Sequence, residues 1–199
     1  MNPKRILLKI GLVLLTAFLI VSFKPEDNKP KFKTFTDTRD NQEYLTVKIG
    51  NQWWFAENLN FETDKDSYCR ECETYGRLYR YEAAFNACPE GWHVPTVQEW
   101  NSLINFLGGP EIAGGKMKSE NGWRFPDIND NNTFGFSAIP APTRGTRGEV
   151  RRPTEAIWWT ADKAYDPAAW TVSIQDGNSK IAQNGYYRVS WFPVRCIKD

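Results

Sequence analysis

The sequence contains a single histidine, His93, and this scarcity limits the chemistry that the chain can perform. A catalytic histidine needs a nucleophile or carboxylate partner, and the chain has neither a G-x-S-x-G motif nor a second histidine. His93 lies just before a predicted helix, so we interpret it as a structural residue that hydrogen-bonds the backbone near the helix start. We assign no catalytic residue and no cofactor from the sequence.

The chain also lacks an excess of either charge. Lysine and arginine number 25 against 24 aspartate and glutamate residues, and the net charge is +1. A protein that binds a polyanion usually carries a basic face, so nucleic acid is not an expected partner.

No apolar run reaches the roughly 20 residues that a membrane-spanning helix needs. Residues 10–23 form the longest run, and Lys4 and Arg5 precede it. This pattern predicts a signal peptide over 1–23, or an uncleaved N-terminal anchor if the run is counted from Ile6 across Lys9. No cysteine follows the run, which removes the acceptor of a lipoprotein. We expect an exported protein, periplasmic, on the outer cell surface or secreted, with membrane contact only through this segment if it is uncleaved.

Residues 24–34 are rich in lysine and proline, a composition typical of a flexible spacer. The remaining chain, 35–199, has the length of one domain. The sequence therefore predicts a leader or anchor, a linker and a single folded unit.

The four cysteines form an even set in a chain that we expect to be exported, so disulfides are predicted. Cys69 and Cys72 are close in sequence, and we pair them with each other. Cys88 then pairs with Cys196. There is no second C-x-x-C motif, which argues against a zinc or redox site.

Short β-prone segments interrupted by turn residues alternate with a few helical stretches, which predicts an α+β domain. Residues 35–55 read as two strands around a tight turn at Gly50 and Asn51. Later β-prone runs are 134–140, 156–160, 169–174 and 186–196, and the turn-type pairs are Asp176 with Gly177 and Asn184 with Gly185.

Two helices are predicted. Residues 78–87 contain good helix formers and end before Pro89. The second helix begins at Thr96, where Glu99 three residues later completes a capping box. Its apolar stripe is Trp100, Leu103, Ile104 and Leu107, and Gly108 ends it.

Three groups of residues are candidates for ligand binding. Trp54 and Trp159 come from adjacent tryptophan pairs, in which one ring of each pair can remain exposed and stack on a sugar. An arginine cluster in a glycine-spaced loop can grip anionic groups; its members are Arg144, Arg147, Arg151 and Arg152. Calcium candidates are Asp127, Asn129 and Asp130. Asn132 and Ala138 occupy positions where an EF-hand needs glycine and glutamate, so we assign no metal.

Several segments together resemble the Fibrobacter succinogenes major paralogous domain. They are VKIGNQWWFAENLNF, YGRLYRYEAA, ACPEGWHVPTVQEW, GGKMKSENGW, FGFSAIPAPTRG, AIWWTAD and VRCIKD. The resemblance runs in order from about Asp37 to Asp199, and it implies an exported or surface protein of the kind common in Bacteroidetes and Fibrobacteres.

The GWHVPTVQEW segment is also similar to the start of the second helix in formylglycine-generating enzymes. That similarity implies a C-type-lectin-like fold, with two helices, a small mixed or antiparallel sheet of short strands and long loops. A fold does not carry an activity with it. We therefore expect a non-catalytic binding module for a glycan or a surface protein; the alternatives are an enzyme acting on carbohydrate or peptide and a structural component of a surface assembly.

Overall fold

A computed structural model describes residues 29–126 and 130–199. The helices are α1 (Cys72–Tyr75), α2 (Tyr81–Phe85), α3 (Val97–Phe106) and α4 (Ala113–Met117). The strands are β1 (Phe32–Thr36), β2 (Glu43–Ile49), β3 (Gln52–Phe55), β4 (Ser67–Tyr68), β5 (Leu78–Tyr79), β6 (Trp92–His93), β7 (Thr143–Arg144), β8 (Val150–Arg151), β9 (Glu155–Lys163), β10 (Ala168–Gln175), β11 (Ile181–Tyr187) and β12 (Ile197–Lys198). The predicted α+β class is confirmed.

The larger sheet joins the start and the end of the domain. Its strand order is β1-β2-β3-β12-β6, and all neighbours are antiparallel. The predicted turn between β2 and β3 is present, and Gly50 supports it with a φ of +59° that side chains disfavour. β1 begins at Phe32, three residues before Phe35, where the sequence analysis places the start of the domain.

The smaller sheet has the order β11-β10-β9. Runs 156–160 and 169–174 lie within β9 and β10, whereas 134–140 and most of 186–196 lie outside the named strands. Asp176 and Gly177 form the turn between β10 and β11. The predicted turn at Asn184 and Gly185 is wrong, because both residues lie inside β11 and pair with β10.

The predicted second helix is confirmed in detail. The Thr96 hydroxyl accepts from the Glu99 amide at 3.2 Å, and the Glu99 carboxylate accepts from the Thr96 amide at 2.8 Å. The first predicted helix is shorter than 78–87, because β5 pairs with β4 and with Phe192 instead. Pairing between distant segments overrides the helical preference of those residues.

Tryptophan rings build the core between the two sheets and α3. Trp54, Trp100 and Trp158 pack together, with ring centroids 4.9 and 5.5 Å apart. On the opposite face of β9, the Trp159 ring packs 4.8 Å from the ring of Phe192. Neighbouring strand residues do point to opposite faces, but both faces of β9 are covered.

Both predicted disulfides are present. Cys69 bonds to Cys72, and Cys88 bonds to Cys196 with a Cα–Cα distance of 5.9 Å. Disulfides persist in oxidising compartments, so they indicate an extracytoplasmic environment. In the described part of the chain, no helix is long and apolar enough to cross a membrane. The predicted leader over 1–23 and residues 24–28 of the predicted linker lie outside the described residues. The last three linker residues, 32–34, belong to β1.

Candidate functional site

A cleft of about 350 Å³ lies between the β7–β8 hairpin and the β9–β11 sheet. One wall comes from the hairpin and the other from the ends of β9 and β11, with Ser190 and Phe192 from the segment before β12. Its volume is at the lower end of the range of roughly 300 to 1,000 Å³ found for small-molecule sites. The cleft therefore has the volume to hold one small molecule, or one part of a larger ligand.

The hairpin wall is held in place by Arg144. Its guanidinium lies 4.5 Å from the ring centroid of Tyr68 and 4.9 Å from that of Trp191. The backbone of Arg144 also exchanges two hydrogen bonds with Trp191, at 3.3 and 2.9 Å. These contacts fix the hairpin against the body of the domain, so Arg144 has a structural role besides lining the cleft.

The structure brings only part of the predicted arginine cluster into the cleft. Arg144 and Arg151 line it, whereas Arg147 and Arg152 are exposed outside its lining. Arg151 lies 3.7 Å from the carboxylate of Glu149, with 70% of its side chain exposed. The prediction that these arginines bind a ligand is untested and stays a prediction.

Glu155, the first residue of β9, is a half-buried carboxyl in the cleft that the sequence analysis missed. Burial raises the pKa of Glu155, and the positive charge of Arg151 only partly opposes this effect. The pKa of the nearby Tyr186 hydroxyl is likewise raised by burial, to which the charge of Glu155 adds. A carboxyl, a guanidinium and a phenol side by side can both donate to and accept from hydroxyl groups.

Three tyrosines supply aromatic surface to the cleft. Tyr165 and Tyr187 are 64% and 57% exposed, and Tyr186 packs on Phe192 at 5.0 Å. Gly185 allows the close approach of Tyr165, because a Cβ at this position would lie 3.0 Å from the ring. Exposed rings of this kind offer flat apolar faces to a ligand.

Trp54 and Trp159, which the sequence analysis expected to stack on a sugar, are both fully buried. Their indoles belong to the core described above, and the Trp159 indole donates to the Tyr79 carbonyl at 2.8 Å. The prediction that Trp54 and Trp159 are exposed is wrong. In the first pair the partly exposed ring is Trp53, which lies under the Lys33 ammonium, and in the second pair both faces of β9 are covered.

Of the three calcium candidates, Asp127 and Asn129 lie outside the described residues. Asp130 is described, and its carboxylate lies 3.1 Å from the buried ammonium of Lys118. Within ranges 29–126 and 130–199, no group of three or more acidic, histidine or cysteine side chains is arranged to hold a metal.

His93 lies outside the cleft and joins three elements. Its Nδ1 is 2.6 Å from Asp199, beyond β12, and its Nε2 is 2.8 Å from Glu99 of α3. The ring bridges two carboxylates, whereas the sequence analysis expected a hydrogen bond to the backbone near the helix start. Burial alone lowers the pKa of His93, but the two carboxylates outweigh burial and raise this pKa above 6.5. The hydrogen bonds to Thr96 and His93 outweigh the burial of Glu99 and lower its pKa below 4.5.

We expect the stability of the domain to fall as the pH rises above about 6.5, the ordinary histidine pKa. The contribution of His93 to the free energy of unfolding is complete below that pH. It is lost as the pH rises through the raised pKa that His93 has in the folded state. The Glu99 contribution is present above 4.5 and is lost as the pH falls through its lowered pKa. The histidine effect is about 1 kcal/mol or less, because solvent screens exposed ion pairs.

Urea unfolding of the wild type and of His93→Gln between about pH 5 and 8 measures this effect across the histidine range. The difference between the free energies of unfolding of the two proteins should shrink as the pH rises. His93 is the chain's only histidine, so parallel profiles would contradict the interpretation.

The sequence comparisons place the fold in a family. A family model described as the Fibrobacter succinogenes major domain matches residues 47–198, a range that includes the cleft, both disulfides and α3. The chain belongs to this family. No curated protein and no solved structure matches the chain. The description of the Fibrobacter succinogenes major domain states no activity.

Proposed function

We propose that this domain is an exported, non-catalytic binding module that holds a carbohydrate in the cleft. The observation that carries the proposal is the combination of exposed tyrosine rings with a half-buried carboxyl and a guanidinium in one concave site. The disulfides support an extracytoplasmic location.

The chemistry of the cleft suits a neutral sugar. A sugar ring has apolar C–H faces and a rim of hydroxyls, which match an aromatic ring and polar groups respectively. Glu155 and Arg151 provide an acceptor and donors of opposite charge, so an anionic ligand is not required. The side chains of Thr143 and Ser190 add hydroxyls to the lining.

A second candidate function is hydrolysis of a carbohydrate, which the raised pKa of Glu155 favours because a general acid must stay protonated. Hydrolysis also needs a second carboxylate across the bond. The Glu149 carboxylate accepts from the Arg147 amide at 3.1 Å and faces Arg151, so it already supports the hairpin. Binding is therefore the proposed function.

We also propose that the fold is C-type-lectin-like. Two features support this proposal: the C-terminal β12 lies in the sheet that contains the first strand, and the Cys88–Cys196 bridge fixes the chain end beside it. An experimental structure compared with lectin domains tests it.

Tyr165→Ala is expected to weaken sugar binding at least tenfold, about 1.4 kcal/mol, because it removes the most exposed ring of the cleft. A glycan array followed by calorimetric titration of the best sugar measures the effect. Phe85→Ala removes another exposed ring, 54% exposed on α2 and away from the cleft, and should bind like the wild type.

Absence of binding to any carbohydrate would contradict the proposed function. Release of shortened sugars, abolished by Glu155→Gln, would instead favour the hydrolase. Melting curves of both variants show whether a loss of binding reflects unfolding.

A further inference from the structure

A second cavity of about 320 Å³ adjoins the cleft, and Tyr187 lines both. The same two chain segments build the two cavities. The β9–β10 connection contributes Tyr165 to the cleft and Pro167 to the second cavity. The segment after β11 contributes Ser190 to the cleft and Val189 to the second cavity. The two cavities are therefore neighbours separated by one exposed ring.

The wall between the cavities is held by Arg188. Its amide donates to the Pro167 carbonyl at 3.0 Å, and its guanidinium pairs with Asp166 at 2.6 Å and Glu82 at 2.9 Å. These contacts tie the segment after β11 to the β9–β10 connection and to α2. The relative position of the two cavities is thus set by the folded chain before any ligand binds.

The second cavity differs from the cleft in chemistry. Its charged groups are already paired, Arg188 as described and Arg80 with Asp66 at 3.2 Å. What remains for a ligand is apolar surface from Pro167, the Tyr187 ring and Val189, which is 49% exposed. Such a surface favours a methyl or methylene group over a hydroxyl.

We infer that the cleft and the second cavity are two subsites of one site, and that its ligand is an acylated oligosaccharide. This inference rests on the proposed function. One sugar unit occupies the polar cleft, Tyr187 contacts the junction to the next unit, and the acyl group of that unit packs on Val189 and Pro167. Continuity through Tyr187 and the change from polar to apolar lining carry the inference.

Two matched sugar series test it by calorimetric titration of the purified protein. Chito-oligosaccharides and cello-oligosaccharides share a β-1,4-linked backbone and differ in an N-acetyl group on each unit. We expect the two-unit chito sugar to bind at least tenfold more tightly than N-acetylglucosamine. It should also bind about fourfold more tightly than cellobiose, the factor given by burying one methyl group.

Val189→Asn should remove the preference for the acetylated series, so that the two-unit chito sugar and cellobiose bind with equal affinity. Leu45→Asn is the matched control, since Leu45 is 50% exposed on β2 and lines neither cavity. It should keep the preference.

Equal affinity for one unit and two would overturn the inference, as would equal affinity for the two series. Either result would leave carbohydrate binding in place. Failure of every sugar to bind would instead remove the proposed function itself.

Discussion

Asn58→Leu is expected to lower the free energy of unfolding by about 3 to 5 kcal/mol, as removal of a partner from a buried charge does. The Asn58 side-chain oxygen accepts from Arg195 Nε at 3.2 Å, from Arg195 Nη2 at 3.0 Å and from the Trp158 indole at 2.8 Å. Leucine would leave a guanidinium and an indole without this acceptor. A buried polar group without a partner cannot recover the hydration that it loses on folding.

Arg195 makes this position unusually sensitive. The side chain is fully buried, and burial lowers its pKa to about 9, so the guanidinium stays charged at neutral pH. Its other hydrogen bonds go to the carbonyls of Phe55 and Phe136. The cation is therefore held by neutral acceptors, and Asn58 supplies the acceptor that two of its nitrogens share.

Urea unfolding at neutral pH measures the loss, and Asn58→Asp provides the matched control. Aspartate keeps the acceptor and adds a compensating charge, while it gives up the hydrogen bond that Asn58 donates to the Tyr75 carbonyl at 2.9 Å. We expect Asn58→Asp to retain more stability than Asn58→Leu. The reverse order, or a loss below about 1 kcal/mol for leucine, would contradict the role given to Arg195.

The parts of the fold that the sequence predicts are those that neighbouring residues determine. Thr96 and Glu99 cap α3 through contacts within one turn, and Gly50 determines the β2–β3 turn through its own backbone freedom. The two disulfide pairings follow from spacing. Leu78 and Tyr79 are predicted to be helical but form β5, because their strand partners in β4 and at Phe192 lie elsewhere in the chain.

The candidate site is harder to predict for the same reason. Tyr165 lies 10 residues after Glu155, and Tyr186 lies a further 21 residues along the chain. The three residues meet only because β9 and β11 flank β10. The arginine-rich loop is a local sequence feature, and two of its four predicted arginines, Arg144 and Arg151, line the cleft. Nothing local distinguishes a tyrosine that faces the cleft from a tryptophan that fills the core.

Replacing both Cys88 and Cys196 with alanine is expected to lower the free energy of unfolding by about 4 to 5 kcal/mol. The bridge spans 108 residues, and loss of so long a loop restores much freedom to the unfolded chain. The matched pair is Cys69→Ala with Cys72→Ala, which opens a loop of sequence separation 3 and should cost only about 2 kcal/mol on the same chain-entropy scale.

Urea unfolding of the two double variants compares the bridges directly. Equal losses would show that strain or packing, and not loop closure, decides the effect of the long bridge. The Cys88–Cys196 variant should also bind its ligand more weakly, because the segment before Cys196 contributes Ser190 and Phe192 to the cleft. If the free energy of unfolding falls while the folded fraction binds as tightly as the wild type, the β7–β8 hairpin and β11 position the cleft without help from the segment before Cys196.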